Sequence, residues 1–477
     1  MMKFYKKSLM KNLPAHTPVL VVGGGIAGAG VFRDLSLHNV GTVLIDSKDF
    51  TSQTSQSSSK MLHGGIRYLE NMDFALVWEA LHEKNLWLNL TPHLTYPESF
   101  YLPVYKGSLR PLWMVKIGLF LYDLLSSFKN TPHSIASKKK TLEIFPFLKS
   151  QGLTGAGVYS DAVVDDAKMT LECIYDGMVS PHSYACNHVS FIDVKKLKNE
   201  KKEVYEVKLK DEISGETKAI TTDYLVFTTG PFTDKVLSKQ SLFPWTPKLR
   251  LSRGSHLWFD NEMLKIQKPM VLTPKDGRVI FVIPQKDKTL VGTTEVKGSA
   301  DFDQTPSDQE IAYLFKNLED YFPNADINKK YLLGSFAGVR PLVMEDPNSN
   351  LGEVARNHKI YQPREDVFIL MGGKYTTFRV MAADLVEPLL HKMKIPYLKH
   401  LSTLPLRRKG HIAPWSKFEL NENILKKIIE DEFPKNQDDL IIRRLGINQQ
   451  EHYQLVEEKL APFKSLFPWE KPVSDSL

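Results

Sequence analysis

The sequence contains little cysteine: Cys173 and Cys186 are the only two in 477 residues. Two cysteines cannot supply a disulfide framework or a cysteine-based zinc site, which excludes disulfide-rich secreted scaffolds and cysteine zinc proteins. A chain of this length also buries enough apolar surface to fold without such cross-links. We therefore expect a reducing compartment, two or three domains and no metal-ligand set.

Long apolar runs are missing as well. The longest, Pro111 to Leu125, is interrupted by Lys116 and Asp123, and it is shorter than the roughly 20 apolar residues that a membrane-spanning helix needs. This excludes a polytopic membrane protein. Residues Met10 to Thr17 are too polar for the apolar core of a secretion signal. The sequence thus predicts a cytoplasmic location.

The charge surplus is small, because 62 lysines and arginines face 55 acidic residues. No basic motif is interleaved with aromatic residues, so we expect no nucleic-acid partner. Residues 1–17 form a basic tail with four lysines and no acid, which suits either a solvated segment or contact with an anionic membrane. The stretch Trp113 to Leu125 is amphipathic and fits either an interfacial helix or a helix packed on the core.

The chain opens with a pattern typical of a βαβ unit. An apolar run at 18–22 predicts a buried strand, a helical pattern follows, and Thr42 to Ile45 predicts a second strand. Gly23, Gly25 and Gly28 lie directly after the first strand as G-x-G-x-x-G. Glycines at this spacing permit a tight turn and a close approach of a pyrophosphate to the helix N-terminus. The pattern therefore predicts a dinucleotide site.

Three further features narrow the choice of dinucleotide. Asp46 ends the second strand, where a carboxylate accepts hydrogen bonds from a ribose and repels the 2′-phosphate of NADP. Two later strands also end in glycine, at 225–230 and at 367–373. Nucleotide-binding elements at the beginning, middle and end of the chain favour FAD. A helix starting near Thr376 would then direct its N-terminus at the N1/O2 edge of the flavin.

The middle of the chain has a different pattern. Short β-rich segments at 255–259, 279–283 and 289–292 are separated by turn signals and predict antiparallel strands, whereas Phe74 to Leu90 has helical spacing. We therefore predict an α/β protein with a Rossmann-type FAD-binding domain, an antiparallel-sheet substrate domain and a short α-helical C-terminal appendage. The expected division is a tail at 1–17, a FAD-binding domain at about 18–100, 150–245 and 335–400, a substrate domain at about 101–149 and 246–334, and the helical region at 401–477.

Several motifs resemble those of one enzyme family. They are V-V-G-G-G-I-A-G-A-G at 21–30, S-S-S-K-M-L-H-G-G-I-R-Y-L-E at 57–70, Y-S-D at 159–161, V-D-D-A at 164–167, R-G-S-H at 253–256, F-V-I-P at 281–284, G-T-T at 292–294, A-G-V-R-P-L at 337–342 and G-G-K-Y-T-T at 372–377. Together they make the chain similar to FAD-dependent glycerol-3-phosphate dehydrogenase, a member of the D-amino-acid-oxidase-like flavoproteins. The block at 57–70 is far more specific than the glycines.

The resemblance implies an oxidoreductase of glycerol metabolism that converts sn-glycerol 3-phosphate to dihydroxyacetone phosphate. Hydride would pass from C2 to N5 of FAD, and quinone would be the usual electron acceptor. Oxygen as the acceptor and a catalytically silent FAD-binding protein are the alternatives. A homodimer and peripheral attachment to the inner face of the cytoplasmic membrane are further candidates. Neither cysteine lies in a motif that resembles a flavin contact, so noncovalent FAD is expected.

The resemblance also implies roles for individual residues. A phosphate dianion needs fixed cations, and the family's pocket positions are matched by Arg67, Tyr68, Arg340, Arg356 and Lys374. Loss of the C2 hydroxyl proton requires a base or a cation near that hydroxyl; His63, His256 and Arg340 are the candidates, and the sequence does not choose among them. The expected cofactor contacts are Gly23, Gly25, Ile26, Gly28, Asp46, Thr54, Ser55, Ser59, Lys60, Met61, His63, Gly65, Gly230, Gly373, Lys374, Tyr375 and Thr376.

Overall fold

A computed structural model describes residues 3–198, 203–285, 287–301, 304–344, 357–411, 421–447 and 450–470. The chain divides into two compact units. The first unit comprises Met1–Gln56, Asp166–Leu251 and Arg340–Leu477, and the second unit comprises Ser57–Asp165 and Ser252–Val339.

The described residues form the following α-helices. In chain order they are α1 (Lys3–Lys7), α2 (Ile26–Leu37), α3 (Phe74–Leu90), α4 (Leu112–Leu125), α5 (Lys138–Ile144), α6 (Asp166–Gly177), α7 (Thr233–Leu237), α8 (Asp308–Tyr321), α9 (Phe378–Lys392), α10 (Glu422–Glu432) and α11 (Gln450–Leu460). The predicted helix at 74–90 is confirmed with the same bounds.

The strands of the described residues are likewise numbered in chain order. They are β1 (His16–Val22), β2 (Thr42–Ile45), β3 (Met61–Leu62), β4 (Thr95–Tyr105), β5 (Ser134–Ser137), β6 (Leu153–Val164), β7 (Ser183–Cys186), β8 (Val189–Lys198), β9 (Glu203–Asp211), β10 (Thr217–Phe227), β11 (Leu249–Asp260), β12 (Met270–Leu272), β13 (Ile280–Gln285), β14 (Lys288–Gly292), β15 (Val296–Lys297), β16 (Leu332–Val343), β17 (His358–Arg364) and β18 (Val367–Gly372).

The first unit is built on an eight-stranded sheet with the order β17-β18-β10-β1-β2-β7, to which β9 and β8 add beside β10. The pairs β18–β10, β10–β1, β1–β2 and β2–β7 are parallel. Strand β2 is buried at all four positions, as expected of a parallel strand covered on both faces. This arrangement confirms the predicted Rossmann-type α/β class, because the glycine turn follows the central strand β1.

The second unit is built on a ten-stranded sheet with the order β15-β11-β14-β13-β12-β4-β6-β3, in which β16 pairs with β11 and β5 pairs with β6. The predicted strands at 255–259, 279–283 and 289–292 correspond to β11, β13 and β14, and these three pair antiparallel. An apolar core of α8 and sheet residues lies in this unit, with Leu257, Val282, Leu314 and Phe322 fully buried.

The two units divide the chain at 57, 166, 252 and 340, whereas the expected substrate domain began at 101 and 246. Residues 57–100 belong to the second unit because β3 pairs with β6 and β4 lies along the whole of β6. Which unit binds which ligand stays a prediction.

The N-terminal residues are not a solvated tail throughout. Helix α1 packs near α10 and β7, and Met10 and Leu13 are buried. Lys7 is only 6% exposed, and its ammonium donates hydrogen bonds to the carbonyls of Met178 and Ser180. Lys7 is therefore unavailable to a membrane surface, and the expectation of an exposed basic tail is wrong for this lysine.

Candidate active site

Backbone atoms closely surround the glycine turn after β1. Gly23 has φ +111°, and a Cβ there would lie 2.6 Å from the carbonyl oxygen of Thr228. A Cβ on Gly28 would lie 1.8 Å from the carbonyl oxygen of Gly23. Only glycine fits at either position, so the turn is a cradle in which backbone approaches backbone, as pyrophosphate binding requires.

Helix α2 begins within this turn. Gly25 is its N-cap residue, and the N–H of Ile26 donates to the hydroxyl of Ser55 at 2.9 Å. The N–H of Gly24 donates to the carboxylate of Asp46 at 2.7 Å. Burial raises the pKa of Asp46 to about 6. The expected residues Ile26, Asp46 and Ser55 thus meet at the N-terminus of α2, with Thr54 in the 3₁₀ turn Thr54–Gln56.

The turn is also held from the neighbouring strand. The hydroxyl of Thr228, directly after β10, donates to the carbonyls of Val22 at 3.1 Å and Gly23 at 2.8 Å. Sequence reasoning selected Gly230 from this segment and missed Thr228. The signal available was its place at the carboxyl end of a parallel strand, where ligands of open α/β sheets bind.

The carboxyl end of β18 carries another group of expected residues. Gly373 has φ +82°, and a Cβ there would lie 2.4 Å from the sulfur of Met381. The hydroxyl of Tyr375 donates to the carbonyl of Asp166 at 2.5 Å. Thr376 is buried and Lys374 is half-buried. The helix expected near Thr376 starts two residues later, at Phe378, because Tyr375–Thr377 form a 3₁₀ turn.

The loop that carries the specific motif lies in the second unit. Lys60 is buried with φ +57°, and its ammonium lies 5.4 Å from the centroid of the Phe336 ring. Met61 pairs with Val163 in the sheet. Gly65 is left-handed at φ +77°, and a Cβ there would lie 2.3 Å from the ring of Tyr68. Tyr68 therefore packs over a glycine that leaves space for it.

His256 on β11 is closely surrounded. Its side chain is only 2% exposed, and its Nε2 lies 2.9 Å from the hydroxyl oxygen of Ser59. Its ring stacks on Phe336 at 4.9 Å with an interplanar angle of 14°. A Cβ on Gly292 would lie 2.3 Å from the His256 ring. The glycine of the G-T-T motif thus leaves the space that this imidazole occupies.

His63 is half-buried, and its ring lies 6.3 Å from that of Phe281. Phe281 and His256 both pair with Gly292, from the two strands that flank it. His63 therefore lies near a strand residue, Phe281, whose cross-strand partner Gly292 also pairs with His256.

A buried network supports the His63 loop. The N–H of Gly64 donates to the hydroxyl of Tyr122 at 2.9 Å, and that hydroxyl donates to Asp161 at 2.9 Å. The ammonium of Lys84 lies 3.5 Å from the same carboxylate. Burial raises the pKa of Asp161 to about 6, against the opposing effect of Lys84 and Tyr122. Sequence reasoning quoted the Y-S-D motif without a role, and missed Tyr122 and Lys84.

The expected substrate cations differ in their surroundings. Arg340 is half-buried on β16, between the buried Val339 and Leu342 of the same strand, whereas Arg67 is exposed. Arg340 and Lys374 belong to the first unit, and Arg67 and Tyr68 to the second. Arg356 lies outside the described residues.

The loop after Asp46 is fixed by the C-terminal region of the first unit. Asp49 is 1% exposed and Arg444 is 0% exposed, and an Arg444 N–H donates to Asp49 at 3.0 Å. Arg443 pairs with the same carboxylate. The two guanidinium groups hold the pKa of Asp49 well below its usual range, although burial opposes this. No sequence pattern had indicated these contacts.

Comparisons with known proteins agree with this geometry. The family described as FAD dependent oxidoreductase matches residues 18–383. The chain is 32% identical over 396 residues to a protein named aerobic glycerol-3-phosphate dehydrogenase from Staphylococcus haemolyticus, covering 82% of this chain and 70% of that protein. It is 31% identical over 415 residues to a protein of the same name from Staphylococcus aureus, covering 85% and 72%.

Solved structures share the fold. Glycerol-3-phosphate dehydrogenase from Bacillus halodurans complexed with FAD has a TM-score of 0.76 at 23% identity, covering 98% of this chain and 94% of that chain. L-α-Glycerophosphate oxidase from Mycoplasma pneumoniae with FAD bound has a TM-score of 0.59 at 19% identity, covering 78% and 94%. The chain therefore belongs to the family of FAD-dependent oxidoreductases, and among them to the glycerol-3-phosphate dehydrogenases.

FAD is the cofactor of this family, and the first unit fits it. The backbone cradle at Gly23 and Gly28 excludes any side chain, the α2 N-terminus supplies N–H donors, and a carboxylate stands at the end of β2. These are the features that dinucleotide binding requires.

Proposed function

We propose that the protein oxidises sn-glycerol 3-phosphate to dihydroxyacetone phosphate and passes the electrons to a quinone. The observation that carries this proposal is the 32% identity over 396 residues to the Staphylococcus haemolyticus enzyme. The first unit comprises about 280 residues, so an alignment of that length extends into both units. The proposal therefore draws on more than the nucleotide fold, which many unrelated activities share.

When bound, FAD supplies the hydride acceptor for C2 of the substrate. In the proposal, the turn at Gly23, Gly25 and Gly28 and the α2 N-terminus hold its phosphates, and Asp46 holds a ribose. Burial raises the pKa of both cysteine thiols to about 12, so neither forms the thiolate that a flavin link to cysteine would need. This supports noncovalent binding. The other cofactor contacts are Ile26, Thr54, Ser55, Ser59, Lys60, Met61, His63, Gly65, Gly230, Gly373, Lys374, Tyr375 and Thr376.

The substrate phosphate is assigned to a set of cations. Guanidinium groups suit phosphate oxygens because their planar fork donates two parallel hydrogen bonds. Loss of one such partner from a desolvated pair costs about 2–5 kcal/mol. The half-buried Arg340 is the strongest member of the set, and the exposed Arg67 needs to be desolvated by the substrate itself. The proposed cations are Arg67, Arg340, Arg356 and Lys374, and Tyr68 is a further proposed substrate contact.

His256 is the group we assign to accept the C2 hydroxyl proton. A general base must be held in a fixed position, and His256 is confined by Ser59 and Phe336 and by the space at Gly292. An imidazole also has the near-neutral pKa that proton transfer at neutral pH requires. His63 is the second candidate, and Arg340 stabilises the developing alkoxide by its charge.

Anaerobic titration of the purified yellow protein tests the activity. Glycerol 3-phosphate should bleach the flavin absorbance, and glycerol, which lacks the phosphate, should not do so at the same concentration. Arg340→Ala should keep the flavin and lose at least 100-fold in kcat/KM, equivalent to about 2.7 kcal/mol. A wild-type protein that stays yellow with excess substrate would contradict the proposed activity, and near-normal Arg340→Ala kinetics would contradict the assigned pocket. Peroxide yield in air, compared with quinone reduction, distinguishes the two acceptors.

We also propose that α4 attaches the second unit to an anionic bilayer. Its inner face is buried at Val115, Leu119 and Tyr122, and its outer face exposes 64% of Trp113 and 53% of Ile117. Residues 106–140 carry seven lysines and arginines against one acid, the buried Asp123. Exposed apolar side chains flanked by basic residues suit binding to the headgroup layer of an anionic bilayer. Among the described residues, no helix is long and apolar enough to cross a bilayer.

A further inference from the structure

Glu310 is a buried carboxylate with two separate sets of partners. It stands in the first turn of α8, where Ser307 is the N-cap residue and the two form a capping box. Oε2 accepts hydrogen bonds from the N–H of Ser307 at 3.1 Å and from its hydroxyl at 2.8 Å, and it also pairs with Arg253. A capping box requires only the contacts to Ser307.

The other oxygen of Glu310 faces the strands around His256. Oε1 accepts hydrogen bonds from the hydroxyls of Ser255 at 2.7 Å and Thr294 at 2.8 Å. Ser255 is 0% exposed and Thr294 is 1% exposed. The N–H of Ser255 in turn donates to the hydroxyl of Thr294 at 2.9 Å. One carboxylate oxygen therefore joins the residue before His256 to the segment that follows β14.

These two segments limit where the His256 ring can lie. Ser255 directly precedes His256 on β11, and Thr294 lies two residues after Gly292, whose missing Cβ leaves space for the imidazole. A shift of either segment moves the imidazole relative to Gly292 or relative to Ser59, which lies 2.9 Å from its Nε2. Catalytic geometry is lost when a supporting group moves by about 1 Å.

The charge state of Glu310 is constant over the working range. Although burial opposes it, hydrogen bonds from Ser255, Thr294 and Ser307 lower the pKa of Glu310 to about 2. An ionised carboxylate only accepts, so both hydroxyls must point their protons at it. This fixes the orientation of Ser255 and Thr294 as well as their positions.

We propose that Glu310 is a positioning residue for the reaction, acting through Ser255 and Thr294 to hold His256 in place. The proposal rests on the proposed function, in which His256 accepts the substrate proton. The role of Glu310 as a helix cap is separate, because Oε2 makes the contacts to Ser307 and Oε1 makes those to Ser255 and Thr294. The ion pair with Arg253 also involves Oε2.

The test compares two variants of the FAD-loaded enzyme. Glu310→Gln replaces the charged acceptor of two hydroxyl protons with a neutral amide, whose oxygen accepts more weakly and whose NH2 group cannot accept. We therefore expect kcat to fall at least 10-fold while KM changes less than 3-fold. Ser307→Ala removes only the capping contacts, so its kcat should stay within 2-fold of wild type although its melting temperature falls. Where Glu310→Gln does not fold, Thr294→Val removes one hydroxyl of the same network and should lower kcat in the same way.

A second readout follows His256 directly. In protein labelled with ¹³C at histidine Cε1, the His256 signal is the one missing from His256→Asn. It should shift in Glu310→Gln, or in Thr294→Val, and stay in place in Ser307→Ala. An unshifted signal together with kcat within 2-fold of wild type in Glu310→Gln and Thr294→Val would reduce Glu310 to a helix cap. Absence of wild-type turnover would instead refute the proposed function, and the histidine signal would still report on positioning.

Discussion

Tyr122→Phe tests whether the buried network behind the His63 loop controls activity. The hydroxyl of Tyr122 accepts the N–H of Gly64 and donates to Asp161, and all of these groups are buried. A buried donor that loses its acceptor costs about 1–3 kcal/mol, and a lost hydrogen bond to a charged group costs about 1.5–3 kcal/mol. Both hydrogen bonds involve the same Tyr122 hydroxyl oxygen, so their two free-energy costs do not add in full. We therefore expect about 2–4 kcal/mol of destabilisation in the second unit.

The pH dependence of this loss has a definite sign. Burial already raises the pKa of Asp161 to about 6, and Tyr122→Phe removes a donor that lowers it, so the pKa rises further. A carboxyl group whose folded-state pKa is raised contributes stability that is complete below its unfolded pKa and is lost as pH rises through its folded pKa. The melting temperature of Tyr122→Phe relative to wild type should therefore be lower at pH 8 than at pH 5.

The assay pairs melting temperature with steady-state kinetics. For about 200 residues, 1 kcal/mol corresponds to roughly 2–4 °C, so a fall of about 4–16 °C is expected at pH 8. Because the loop that carries His63 loses its hydrogen bond to Tyr122, kcat/KM should fall about 10-fold. Tyr105→Phe removes an exposed hydrogen bond to the carbonyl of Lys149 and should change neither value appreciably. Equal effects of the two variants, or a pH-independent difference, would refute the reasoning.

Two further predictions concern the cofactor and the membrane. Gly28→Ala places a Cβ 1.8 Å from the Gly23 carbonyl oxygen, so the protein should purify without flavin absorbance; Gly118→Ala on α4, where a Cβ meets nothing within 4 Å, should keep it. Trp113→Glu should reduce co-sedimentation with phosphatidylglycerol vesicles at least 5-fold, whereas Ile213→Glu, at a residue 54% exposed, should not. Wild-type protein that does not co-sediment with the vesicles would refute the proposed membrane attachment.

Local patterns predicted the fold class and the glycine turn after β1 well. Apolar runs predicted β1 and β2, and β2 has the expected bounds at Thr42–Ile45. The glycines could be recognised because their role is steric and local: a Cβ at Gly28 meets the backbone of Gly23, five residues away. Motifs of this kind can be recognised in the sequence because the residues that impose the steric constraint lie close by in the chain.

The supporting groups could not be predicted, because their partners are distant in the sequence. Tyr122 and Asp161 are separated by 39 residues, and Ser255 and Glu310 by 55. Periodicity placed Tyr122 in an amphipathic stretch without indicating what its hydroxyl contacts, and no sequence prediction covered Glu310. Glu310 also completes a local motif, the capping box with Ser307. That motif gives no indication of the contacts to Ser255 and Thr294.

The C-terminal region gives the clearest case of this limit. Its helical pattern predicted an appendage, and α10 and α11 do contribute to an apolar cluster of their own. Yet Arg444 pairs with Asp49, 395 residues earlier, and both side chains are fully buried. Removing one partner of such a pair costs about 3–5 kcal/mol, because the remaining charge stays buried. Hydrophobic periodicity reports which residues avoid water and says nothing about which charges meet, so a region that is patterned like an appendage is joined to the rest of the first unit by buried ion pairs.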